Sequence, residues 1–133
     1  MQAVRARIPK CLNHGSLIET CDNSGAKIVR LVSVIGSKPV KERKPSAGIG
    51  DLVMVSVRKG VPEMRKQVVY AVIVRQRKEY RRASVIRVRF EDNAAVVLKD
   101  GDGNPKGTLI KGPIPKEVTE RWPAIGKLAN TIV

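Results

Sequence analysis

Between Arg75 and Arg89 the chain carries seven cationic side chains, Arg75, Arg77, Lys78, Arg81, Arg82, Arg87 and Arg89, against one acid, Glu79. Arginine presents a planar fork that bonds a phosphate through two parallel N–H groups, so this density is suited to holding a polyanion. Seven like charges in one short segment also repel one another, and a polyanion removes that cost. A second cluster, Lys38, Lys41, Arg43 and Lys44, lies upstream. The excess charge is unevenly spread. Residues 1–89 hold 20 basic and 6 acidic side chains, whereas residues 90–133 hold 6 and 6. The first two thirds should therefore present a polyanion-binding surface, and the neutral last third should face something else.

Other chemistry finds little footing. Cys11, His14 and Cys21 lack the close ligand pairs of a zinc site. Asp100, Asp102 and Asn104 mimic the opening of a calcium loop. Pro105 and Lys111 then stand where that motif needs Gly and Glu, so the stretch reads as a turn. Gly48-Ile49-Gly50-Asp51 opens a strand rather than a helix and is not a phosphate loop. One histidine cannot supply both base and orienter to a nucleophile. Glu91-Asp92 would point to opposite faces of a strand and reads as a turn that balances nearby arginines. The chain is not expected to be an enzyme or to carry a cofactor or metal.

The kind of nucleic acid follows from the aromatics. Barrel proteins that bind single strands stack bases on exposed rings. This chain has Tyr70, Tyr80, Phe90 and Trp122 only, and Tyr80 alone falls within the basic segment. Recognition of folded RNA by its backbone and shape fits better. A single-strand binder is the alternative, and it would lean on Tyr80. Under the first reading, removing Arg81 and Arg82 together should weaken binding with little loss of fold.

The elements that must position these charges are short strands. Val68 to Val74 is a continuous apolar run that feeds the basic segment. Val85 to Phe90 returns from it in strict alternation, with Ile86, Val88 and Phe90 on one face and Arg87 and Arg89 on the other, as a half-buried strand requires. The sheet then pushes the arginines into solvent together. A third run follows at Ala94 to Leu98. Met1 to His14 reads as an extended arm. Ser16 to Cys21 and Ala26 to Ile35 form a hairpin about the turn Asp22-Asn23-Ser24-Gly25. Gly36 to Gly50 is a long basic loop. In Asp51 to Lys59, Val53, Val55 and Val57 should face the core. Gly60 to Lys66 and Lys99 to Gly107 are turns. Two short helices start at Pro115 and Pro123. Many short strands between Gly and Pro turns suggest a mainly β fold, a small closed or nearly closed barrel from which the basic ribbon projects. At 133 residues a single domain is expected, with the barrel over about 15–112 and the helical segment over about 113–129. Two cysteines make no disulfide framework, no secretory signal is visible, and the longest apolar run is far short of a membrane span. A reduced intracellular protein without membrane contact is the expectation.

Several short segments recur in the order and spacing of one family: Asp22-Asn23-Ser24-Gly25-Ala26, Ala71-Val72-Ile73-Val74-Arg75, Arg81-Arg82, Phe90-Glu91-Asp92-Asn93-Ala94, Gly107-Thr108 and Gly112-Pro113. The chain resembles the universal large-subunit ribosomal protein family number fourteen, in its archaeal branch, from about Ser16 to Val133. One departure stands at the ribbon tip, where Ala83-Ser84-Val85 replaces the family's usual Asp-Gly turn. The resemblance implies a five-stranded barrel with C-terminal helices, and a structural, cytoplasmic role in the ribosome. It implies binding of large-subunit RNA and intersubunit bridges to small-subunit RNA. The expected protein neighbours are ribosomal proteins number three and, of the eukaryote-like set, number twenty-four. An anti-association factor, initiation factor six, is expected to dock nearby. Thr108, Lys116, Arg121 and Trp122 are the residues carried over as protein or bridge contacts.

Overall fold

The computed structural model describes residues 3–41 and 43–133. The first two residues of the expected arm and residue 42 of the long loop lie outside it. The elements are β1 (Ala6–Arg7), β2 (Leu12–Asn13), β3 (Leu17–Thr20), β4 (Ala26–Val34), β5 (Ser46–Ala47), β6 (Leu52–Gly60), β7 (Val68–Arg75), β8 (Tyr80–Arg82), β9 (Arg87–Val88), β10 (Ala94–Val97), β11 (Ile110–Ile114), α1 (Lys116–Arg121), α2 (Pro123–Leu128) and β12 (Ala129–Ile132).

Five strands close a barrel in the order β10-β3-β4-β6-β7. The β3–β4 hairpin turns at Asp22–Gly25, with Gly25 at φ +100°, where a side chain would be strained. Asp22 also ties that turn to the neighbouring strand β10. Its Oδ1 accepts from Ser24 Oγ at 2.9 Å and its Oδ2 from the Val97 N–H at 3.0 Å. The ring closes where β10 pairs antiparallel with β7 and parallel with β3, Ala94 lying opposite Glu19. Closure leaves no unpaired edge among these five strands.

Two cores flank the same wall. Val29, Leu31, Val53, Val55, Val57, Ala71, Ile73, Ala95 and Val97 fill the barrel. Val72, Val74, Ala94 and Val96 point outward into a second core with Ile110, Ile114, Val118, Trp122 and Ile125. This explains why Ala71 to Val74 is continuously apolar while β6 alternates: that part of β7 and the whole of β10 are covered on both faces, whereas β6 keeps Met54 and Ser56 partly exposed and Arg58 exposed. The cover is the C-terminal segment. β11 and β12 run parallel, Ile110 opposite Ala129, and the two helices form the crossover that a parallel pair requires. Each helix follows its proline as expected, α1 beginning just after Pro115 and α2 at Pro123. No pattern in the residues pointed to β12.

The returning strand is shorter than its alternation suggested. Only Arg87–Val88 pairs, because the chain between Arg82 and Ile86 is spent on the turn. The Arg82 N–H bonds Ile86 O at 2.9 Å and the Val85 N–H bonds Arg82 O at 3.0 Å. Val85 sits there at φ +74°, and Ile86 is 62% exposed rather than buried. In compensation the ribbon gains a third strand, because β1 of the N-terminal arm pairs with β8.

Candidate nucleic-acid interface

The ribbon leaves the barrel at the end of β7 and is rooted by buried polar groups. Gln76 is fully buried, and its Oε1 accepts from the Ile49 N–H at 3.0 Å while its Nε2 donates to Lys78 O at 3.0 Å. Asn93 Oδ1 caps the Arg77 N–H at 2.9 Å. These bonds fix the angle at which the basic segment projects from the barrel wall.

The seven arginines and lysines of the segment do not share one environment. Arg77, Lys78, Arg81, Arg87 and Arg89 are exposed. Two are turned inward, against the expectation that all would reach solvent. Arg75 is only 7% exposed. Its Nε and Nη2 bond the Asp92 carboxylate at 2.9 and 3.2 Å, and its Nη1 bonds Lys111 O and Pro113 O at 2.9 and 3.1 Å. Gly112 makes this approach possible, since a Cβ there would meet Arg75 Nη1 at 2.5 Å. Arg75 thus staples the barrel to the C-terminal segment and has no free fork for a phosphate. Arg82 is the second. Its Nε and Nη2 grip both oxygens of Glu117, at 2.6 and 3.1 Å, and Nη2 also reaches Val133 O at 2.7 Å.

Glu117 is the residue that sequence reasoning missed. It is 1% exposed, lies in α1, and accepts a third bond from Tyr80 Oη at 2.9 Å. Burial, and then the Glu117 carboxylate, push the Tyr80 hydroxyl well above its ordinary range. Glu117, by its bond to Arg82, raises the affinity of that guanidinium for its proton in turn. A pattern read from local sequence carries no signal for a contact 35 residues away. Tyr80 itself is 1% exposed, with Arg82 Cζ 5.8 Å from its ring centroid. It therefore cannot stack a base, and the alternative of a single-strand binder leaning on Tyr80 loses its footing.

The upstream cluster behaves as expected of a solvent-facing loop: Lys38, Lys41, Arg43 and Lys44 are all exposed. The loop is pinned at its return, where β5 pairs with β2, Leu12 opposite Ala47. Asp51, 7% exposed, closes the turn by accepting from the Gly48 N–H at 2.8 Å and from Lys10 Nζ at 2.6 Å.

The carried-over contact residues divide too. Thr108 and Lys116 are exposed, Thr108 held by Asn23, whose Nδ2 donates to its Oγ1 at 3.0 Å. Trp122 is 5% exposed and donates its indole N–H to Gly50 O at 2.8 Å, which makes it a core residue tying α1 to the loop before β6. Arg121 is half-buried, with Nη1 3.6 Å from Asp51. The second core accounts for the placement of Trp122, and Asp51 for that of Arg121.

Comparison with known proteins gives a consistent result. The model of the family described as ribosomal protein L14p/L23e matches residues 11–133. The chain is 53% identical to the large ribosomal subunit protein uL14 of Methanothrix thermoacetophila, 52% to that of Nanoarchaeum equitans and 53% to that of Halorubrum lacusprofundi, in each case across all of both chains.

Proposed function

The chain belongs to the ribosomal protein L14p/L23e family, and from that premise we propose that it is a structural constituent of the large ribosomal subunit that holds large-subunit RNA through its ribbon and basic loop. Its place is the ribosome, in the cytoplasm. The observation that carries the reading is the set of exposed cations, Arg77, Lys78, Arg81, Arg87 and Arg89, braced on a ribbon whose other face is buried against α1. Together with Lys38, Lys41, Arg43 and Lys44 they can meet phosphates without any stacking aromatic, which is recognition by backbone and shape. Arg75 and Arg82 support this surface from behind.

The neutral C-terminal segment takes the other duties. Thr108 and Lys116 lie exposed on it and are offered to protein neighbours and to the small-subunit RNA of an intersubunit bridge. The neighbours are ribosomal proteins number three and number twenty-four of the eukaryote-like set, with initiation factor six docking nearby. The role is structural rather than catalytic.

The test is the salt dependence of binding to large-subunit RNA. Each duplex phosphate neutralised contributes about 0.9 to the slope of log affinity against log salt, so six contacts give a slope of roughly −5. A slope near zero refutes the reading.

A further inference from the structure

The N-terminal arm does more than lead into the barrel. In the pairing of β1 with β8, Arg7 lies directly opposite Arg81, and in the pairing of β8 with β9, Arg81 lies directly opposite Arg87. Three arginines therefore stand side by side across three strands, about 10 Å from first to last at ~4.8 Å per strand. All three are exposed. The opposite face of the same small sheet is spent on packing: Ala6, Tyr80 and Val88 join the second core, and Arg82 turns to Glu117. On one side of the row an open hollow of about 410 Å³ is lined by Arg5, Arg7, Arg81 and Arg82. On the other side a second, of about 250 Å³, is lined by Arg7, Lys78, Arg81 and Arg87 together with the single acid Glu79.

Like charges directly opposite one another on neighbouring strands are destabilising. Glu79 relieves one end of the row, bonding Arg87 at 2.7 Å, but both of those side chains are largely in solvent, where such a pair is screened. Arg7 and Arg81 have no acidic partner among the described residues. A regular row of forks on a braced sheet, without an aromatic to stack a base, fits an anion that repeats along a line. We infer that β1 completes a three-strand arginine row, Arg7, Arg81 and Arg87 with Arg5 at its end, that seats neighbouring phosphates of one ribosomal RNA strand. This rests on the RNA-binding reading above and adds to it a role for the arm, with Arg5 and Arg7 as binding residues.

The experiment uses the full chain and an in vitro transcript of large-subunit ribosomal RNA, with affinity measured across a range of salt. Arg5→Gln combined with Arg7→Gln should reduce the magnitude of the slope by about 1.4 to 1.8, at about 0.7–0.9 per phosphate contact. Lys127→Gln, an exposed charge in the last turn of α2, should leave it unchanged. Arg7→Lys should keep the slope but lose part of the affinity, because the charge stays and the fork goes. A steep wild-type slope with the double variant matching wild type overturns the inference and leaves the general reading standing. A flat wild-type slope overturns both. Arg81→Gln gives a second line that does not depend on RNA: relief of like-charge repulsion should hold or raise the urea midpoint of the free protein at low salt, and a clear fall would show the row to be structural instead.

Discussion

Replacing Glu117 by Ala should be among the most damaging single changes in the chain. The carboxylate is 1% exposed and accepts two bonds from Arg82 and one from Tyr80. Its removal takes the carboxylate from a guanidinium whose side chain is only 15% exposed, and leaves the buried Tyr80 O–H with no acceptor. Breaking a buried pair from one side costs about 3–5 kcal/mol. Arg82 keeps Val133 O as a partner, which places the loss near the lower end, about 3 kcal/mol. In urea, with a slope of about 2 kcal/mol per molar, the midpoint should fall by roughly 1.5 M. Arg82→Ala should cost a similar amount, because it leaves the carboxylate buried with Tyr80 alone, so the expectation that Arg81 and Arg82 can be removed together with little loss of fold holds only for Arg81. The double variant should cost little more than either single one, so a cycle returns a coupling of about 3 kcal/mol. Arg81→Ala, one residue away and exposed, should stay within about 0.5 kcal/mol of wild type. A loss below about 1 kcal/mol for Glu117→Ala, or simple additivity with Arg82→Ala, refutes the claim that this cluster latches the ribbon to α1.

Two further perturbations probe the turns. Val85 holds φ +74° while 67% exposed, so Val85→Gly removes backbone strain without losing burial; about 1–2 kcal/mol of strain against about 0.5–1 of glycine entropy leaves a net gain near 0.5–1 kcal/mol, read as a melting point a few degrees higher, and a lower one counts against the strain. Asp22 has its carboxyl raised above the ordinary 3.8 by burial, against the opposing bonds from Ser24 and Val97. Between the unfolded and folded values the folded chain binds more protons, so the contribution of Asp22 is complete below 3.8 and is lost as pH rises through its folded value. Asp22→Asn should flatten that part of the curve of stability against pH, measured by urea melts from about pH 4 to about pH 7; an unchanged curve would mean that Asp22 is not its source.

The barrel was open to sequence reasoning because its determinants are local. Alternation in β6 places Val53, Val55 and Val57 inward, and turn chemistry at Asp22–Gly25 sets the first hairpin. Exposure of the loop cations Lys38, Lys41, Arg43 and Lys44 follows from the same kind of signal. The ribbon was less legible. Alternation from Val85 to Phe90 implied a longer strand than the two residues that pair, since the turn between Arg82 and Ile86 takes up the first of them. Arg5 and Arg7, spaced by two about Ala6, carried a strand-like pattern too short to separate from an extended arm.

What the chain's order of residues determined by itself was the surplus of cations before residue 90, the neutral remainder, and the strands and turns that periodicity specifies within a few residues. Which cations face solvent was decided only in three dimensions. Arg75 and Arg82 look no different in sequence from Arg77 and Arg81, yet Asp92, Glu117 and the carbonyls of Lys111, Pro113 and Val133 claim the first two. A charged side chain can be taken from water only where partners from distant parts of the chain replace its hydration, and folding alone brings those partners together.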